Sequence, residues 1–261
     1  MWVALFFVVE HALRYLSTFT VDWHPILRDE NNRHVMSRHF GVDFFACLMV
    51  SMYGVSARKW IAPFLSSNSK VPADYQNRFY TYVPEGQRIL TVFLAYQVKN
   101  LYDAIVWSDG PEFCAHHVVS GIAAWGAMYP GLGHCYAIFY MGVSELSTMV
   151  LVVLANFDDT GHGVAGLAEA FPGAKIFWAA VFVVFFVICR CVMWPIVSYY
   201  FIVDALAALK NEEDKKAKKY PLRLWFYAWI FILGSLTLLQ FVWLGQIVYM
   251  GKAEIDKMMA A

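Results

Sequence analysis

The chain has 261 residues, 60% of them hydrophobic and only 15% charged, with a mean hydropathy of +0.50. A soluble domain of this length carries more charge and shorter apolar runs. A formal net charge of zero removes the electrostatic basis for a nucleic-acid partner, so an integral membrane protein is expected.

The opening "MWVALFFVVE" is apolar but has no basic n-region and no small-residue cleavage site after it, so it does not read as a signal peptide. Residues 2–9 are too short to span alone; with Glu10 and Arg14 following, they suit an interfacial helix or a seventh span. The run "VDWHPILRDENNRHVMSRH" reads as a polar surface segment. Six stretches then approach the roughly 17–25 apolar residues that a spanning helix needs: about 40–57, 88–107, 113–129, 133–156, 174–202 and 222–250. The expected fold is therefore all-α, a polytopic transmembrane helix bundle of six or seven spans around a central lipid-accessible cavity. Its expected organisation is an N-terminal segment 1–37, a transmembrane domain 38–250 and a short tail 251–261.

The connections "SDGPE" and "PGLG" are short and turn-rich, which makes the second, third and fourth stretches sequential antiparallel neighbours. The loop "DALAALKNEEDKKAKKYP" reads as a solvated charge run. Arg58, Lys59, Lys70 and Arg78 fall on the same side as Lys210, Lys215, Lys216, Lys218 and Lys219, which marks that side as cytosolic. Arg14, Arg28, Arg33 and Arg38 oppose this assignment, and Asp158 and Asp159 lie with them. The five cysteines follow neither a disulfide framework nor a zinc-ribbon spacing and read as small buried hydrophobes.

Ionisable residues inside apolar stretches call for an explanation, because lipid does not solvate them. In 88–107, Tyr96, Lys99, Asn100 and Asp103 recur at i, i+3, i+4 and i+7 and share one helical face. Asp103 lies seven residues before Gly110 and His117 seven after it. Two antiparallel helices leaving that turn place them at one depth, roughly 10 Å in. Glu145 in "GVSELSTMV", Arg190 in "FFVICRCVMWP" and Gln240 in "LTLLQFVWLGQIV" add polar groups from three further stretches. A polar cavity accounts for all of them together. Individually, blander readings stay open. Ser147, Thr148 and Gln240 suit helix-packing hydrogen bonds, Lys99 and Asp103 suit a self-neutralising pair, and Arg190 suits a snorkelling side chain.

Adjacent histidines, His116 and His117, point about 100° apart and do not converge on one metal ion, and no HExxH is present. No G-x-S-x-G nucleophile elbow is present either. No metal and no other cofactor is expected. What remains is a histidine acting as base or nucleophile, oriented by Asp103, or recognition of a lipid headgroup by the same residues.

An aspartate ending one span, His-His opening the next, a "SELST" span, an intramembrane arginine and a final "LLQFVWLGQIV" together resemble the TLC-domain family, from about Arg38 to Tyr249. That family includes the ceramide synthases and the translocation-associated membrane proteins. The resemblance implies a helix bundle around a lipid-accessible cavity. It also implies acyl transfer from acyl-CoA at His116 and His117, with Asp103 as the matching acid and Glu145 lining the cavity. The H-D-x-x-D signature of the ceramide synthases is absent; "YMGVSELSTMVLVVLANF" stands in its place. The chain is thus more similar to the smaller TLC-domain proteins. The expected function is binding, and modification or regulation, of an acyl-chain or sphingolipid-type lipid. The expected catalytic residues are His116, His117 and Asp103, and the substrate-binding residues Tyr96, Lys99, Asn100, Glu145, Arg190 and Gln240. Competing readings are a lipid-sensing or transport-assisting protein and a non-catalytic subunit of a larger membrane assembly. The endoplasmic reticulum membrane is the family-based location, with an organellar inner membrane as the alternative.

Overall fold

The structure is a computed structural model that describes residues 1–65, 75–129, 131–158, 162–210 and 222–260. Lys70, Asp159, Lys215, Lys216, Lys218 and Lys219, which bear on the orientation, lie outside the described residues. Among the described residues, seven long helices account for the bundle: α1 (Trp2–Ser17), α2 (Glu30–Ser56), α3 (Pro84–Val106), α4 (Pro111–Met128), α5 (His134–Ala155), α6 (Pro172–Lys210) and α7 (Leu222–Ala260). No strand is present among them.

Proline starts three of these helices. Pro84, Pro111 and Pro172 stand in the first turn of α3, α4 and α6, where a missing N–H costs nothing and φ is already helical. Gly110, at φ +120°, and Ser108, at φ 57°, fold the chain back between α3 and α4. These are backbone conformations that a residue with a Cβ rarely adopts.

Among the described residues, five helices are long and apolar enough to cross a membrane: α2, α3, α5, α6 and most of α7. The stretch 113–129, expected as a span, is helix α4. Its 18 residues, with Glu112, His116 and His117 in the first half, are not among those five. Helix α1, at 16 residues, is shorter still and packs on α2 and α3. The polar run before the first stretch is drawn into α2, whose first turns bury Asn32, Ser37 and His39.

The helices form a ring. Helix α3 packs along α4, α4 meets α7, α7 packs on α6, α6 on α5, and the start of α5 returns to α3. Helix α2 fills the wedge between α3 and α5, and α1 covers α2 and α3. One end of the ring is sealed by aromatic side chains, Phe79, Tyr136, Phe201, Phe226 and Trp229. Toward the other end, a separate cluster of Val150, Phe182 and Phe186 with Trp243 and Ile247 joins α5, α6 and α7. Helices α4 and α7 meet at the sealed end, where Gly126 lies against the Trp225 ring. Toward the other end Phe113, Val118, Val119 and Ile122 of α4 are exposed. The outer faces of α6 and α7 carry exposed Phe177, Val184, Ile188, Leu238, Phe241 and Val242, the composition expected of helices that face hydrocarbon.

Candidate functional site

The four polar residues predicted to share a face of α3 are all buried in the bundle, and Lys99 is wholly inaccessible. Its ammonium lies 2.5 Å from Glu10 Oε2 of α1 and 2.6 and 2.5 Å from the two carboxylate oxygens of Asp103. It also sits 4.8 Å above the Phe7 ring. Asp103 is 3.9 Å from Arg38 Nε. The Arg38 guanidinium bonds Asp109 at 2.5 Å and stacks over Trp107. Asn100 faces Asp43 of α2. This side of α3 therefore looks toward α1 and α2, and the self-neutralising pair of Lys99 and Asp103 does form.

The histidines lie elsewhere. His117 Nδ1 donates to Gln97 Oε1 at 2.8 Å, so Asp103 is not the group that orients it. Equal depth does not make a contact, because azimuth decides which side chains meet. Gln97 and Asp103 are six residues apart, about 120° around the helix, so a side chain of α4 that reaches the first is turned away from the second. His116, with its ring centroid 5.4 Å from that of His117, is exposed and makes no hydrogen bond among the described residues. The charges nearest to it in effect are Glu145 and Arg190.

Those two residues form a second polar centre. Arg190 Nη2 is 3.2 Å from Glu145 Oε1 and donates to Thr148 Oγ1 at 3.0 Å, while Nε donates to Ser147 Oγ at 3.0 Å. The guanidinium lies 5.0 Å over Trp194. Arg190 is thus tied inward to α5 and does not snorkel. Ser147 and Thr148 make the interhelical hydrogen bonds expected of them. Cys47 Sγ donates to Glu145 Oε2 at 3.8 Å from α2, with Tyr96 beside it.

Local backbone geometry places this pair. Three π-helical turns interrupt the long helices: His39–Phe44, Phe139–Val143 and Val187–Met193. Asp43 lies in the first, Glu145 stands two residues past the end of the second, and Arg190 lies in the third. A π turn inserts a residue and rotates the helix beyond it, and such turns collect at functional sites.

Beneath this centre lies a small, half-open apolar recess of about 40 Å³, lined by Ala123 and Ala127 of α4, Tyr140 and Met141 of α5, Phe201 of α6 and Leu233 of α7. His116 precedes Ala123 by seven residues and Gln240 follows Leu233 by seven, so each stands on the recess-lining face of its helix, about 10 Å nearer the open end. Glu145 is one turn beyond Met141. Trp194 Nε1 donates to Thr237 Oγ1 at 3.0 Å, which puts Arg190 and Gln240 one turn above the same contact. Gln240 is buried, and its Nε2 donates to Leu236 O at 3.0 Å while Oε1 has no partner among the described residues. His116, Glu145, Arg190 and Gln240 therefore form a polar collar over an apolar recess.

A family model for the TLC domain matches residues 35–249. The chain belongs to the TLC-domain family. No curated protein and no solved structure matches it. Within this TLC-domain chain, reasoning from sequence missed Glu10, Arg38, Asp43, Cys47 and Gln97 as partners of the polar residues. Gln97 alone carried a usable signal, an amide within two turns of the expected depth of His117. Among the described residues no group of three His, Cys, Asp or Glu side chains is placed to hold a metal ion.

Proposed function

We propose that this TLC-domain protein binds one membrane lipid, its headgroup at the collar of His116, Glu145, Arg190 and Gln240 and an acyl chain laid along the half-open apolar recess below. The observation that carries this reading is the placement of polar side chains from four helices over an apolar space, with exposed His116 making no hydrogen bond among the described residues. A polar group left unpaired in a membrane is costly, and a bound headgroup removes that cost. The parting of α4 from α7 toward the open end offers entry from the bilayer.

Acyl transfer, the activity implied by the family's ceramide synthases, is the catalytic form of this reading. His116 would take the proton from a headgroup amine or hydroxyl as that atom attacks an acyl thioester such as acyl-CoA, with no resident cofactor. His117, held by Gln97, would brace the same turn of α4. In this reading Asp103, Lys99, Asn100 and Tyr96 build the wall behind the site and do not touch substrate. The endoplasmic reticulum membrane is the proposed location.

The test is lipid mass spectrometry on protein purified gently from its native membrane, beside the variant His116→Ala. One lipid class should be retained near stoichiometrically by the native protein and fall about tenfold in the variant, the effect of one charge-assisted hydrogen bond. Identical lipid content in both, with the same stoichiometric partner proteins, would replace this reading with that of a structural subunit.

A further inference from the structure

The collar has a donor pattern that narrows the headgroup. Arg190 carries five N–H donors. Nε and Nη2 are committed to Ser147, Thr148 and Glu145, and Nη1 has no partner among the described residues. Nη1 is also absent from the buried, unsatisfied atoms, so it borders open space. His116 brings a second uncommitted group from α4, within electrostatic range of the guanidinium. The edge of Arg190 that faces α5 is pinned, and Trp194 covers one face of its plane. The free nitrogen is therefore held in a fixed direction.

Charge points the same way. With His116 neutral, Glu145 and Arg190 cancel, and an empty collar carries no net charge. Only one oxygen of Glu145 meets the arginine, at 3.2 Å, and the other meets a thiol at 3.8 Å. An arriving anion can share the guanidinium through Nη1 without breaking that bond, and His116 can take up a proton to balance it. A neutral headgroup can also accept from Nη1, but an anionic oxygen accepts a stronger, charge-assisted hydrogen bond, and an ammonium offers no acceptor at all.

Resting on the lipid-binding reading above, we propose that the collar is selective for a phosphate-bearing lipid headgroup, whose oxygens accept from Arg190 Nη1 and from His116. Phosphate offers several divergent oxygens, which donors on two separate helices require, and planar guanidinium donors suit it.

The experiment is native mass spectrometry of the full chain in neutral detergent with three probes: phosphatidic acid, diacylglycerol of the same acyl chains, and inorganic phosphate. Phosphatidic acid should bind at least tenfold more tightly than diacylglycerol, the preference should shrink as salt is raised, and inorganic phosphate should not compete. Arg190→Gln should remove the preference, so that phosphatidic acid and diacylglycerol bind the variant equally. Equal binding of the two lipids by the native protein would overturn phosphate selectivity while leaving the lipid-binding reading in place. Binding of neither would overturn both. Competition by inorganic phosphate would overturn the lipid as the source of the anion. The lipid comparison and its salt dependence need no variant, so a misfolded Arg190→Gln does not protect the proposal.

Discussion

Two of the charge clusters among the described residues are built in opposite ways. Between α1, α2 and α3, Lys99 is enclosed by Glu10 and Asp103, and Arg38 by Asp109. Around α4, α5, α6 and α7, Arg190 is half committed, His116 is unbonded and Gln240 keeps one acceptor free. The first cluster sets its charges against each other and so holds three helices together. The second keeps donors in reserve beside an open space. An ionisable residue in a membrane is informative about function in the second arrangement only, and the distinction lies in how its partners are filled, not in burial.

The largest effect should come from Lys99. Lys99→Met should leave Glu10 without its cation and Asp103 with only Arg38, 3.9 Å away, and removal of one partner from a buried pair costs about 3–5 kcal/mol. Thermal unfolding in detergent should register a loss of that order. Adding Glu10→Gln and Asp103→Asn should restore most of it, since a satisfied polar group replaces an uncompensated one. A single variant as stable as the native protein would mean that the closed cluster does not hold α1.

A smaller effect separates two glycines. A Cβ on Gly54 would lie 2.6 Å from Val143 N and 2.9 Å from the Gly142 carbonyl carbon, both backbone atoms of α5. A Cβ on Gly126 would meet the Trp225 ring, at 2.4 Å. Backbone cannot step aside and a side chain can turn. Gly54→Ala should therefore cost about 1–3 kcal/mol, the usual penalty of overpacking. Gly126→Ala should cost less and instead move the tryptophan fluorescence, because it loosens the seam where α4 meets α7. Equal losses at the two positions would mean that the α4–α7 seam is as rigid as the core.

What is legible in the sequence divides along the same line. Helix periodicity identifies the all-α membrane bundle and the buried face of Tyr96, Lys99, Asn100 and Asp103, because a 3.6-residue period fixes faces within one helix. Of the six apolar stretches, 113–129 forms helix α4 but is not among the five that meet the length and hydropathy test, since its opening turns carry charge and imidazole. Counting residues from a turn gives depth but not azimuth between helices, so it pairs Asp103 with His117 where the structure places Gln97. The π turns before Glu145 and around Arg190 escape any fixed period. Glu10 and Cys47 are unreadable as partners because each reaches its neighbour across chain separations that no local pattern records.

The smallest of these effects distinguishes the two histidines. They are adjacent in sequence, yet α4 turns one to a fixed partner and the other to the collar. His117→Ala removes a hydrogen bond to Gln97 that is half-buried at the α3–α4 interface, and the net value of such a bond is about 1 kcal/mol. Unfolding should shift by about that amount while lipid retention stays at the native level. His116→Ala, with no hydrogen bond to lose, should leave unfolding unchanged and reduce lipid retention. If both substitutions reduced retention equally, the pair would act as one unit and the azimuthal division of labour on α4 would be wrong. If His117→Ala alone reduced it, the ligand would sit on the α3 side of α4, against Gln97, and the collar would not be the site.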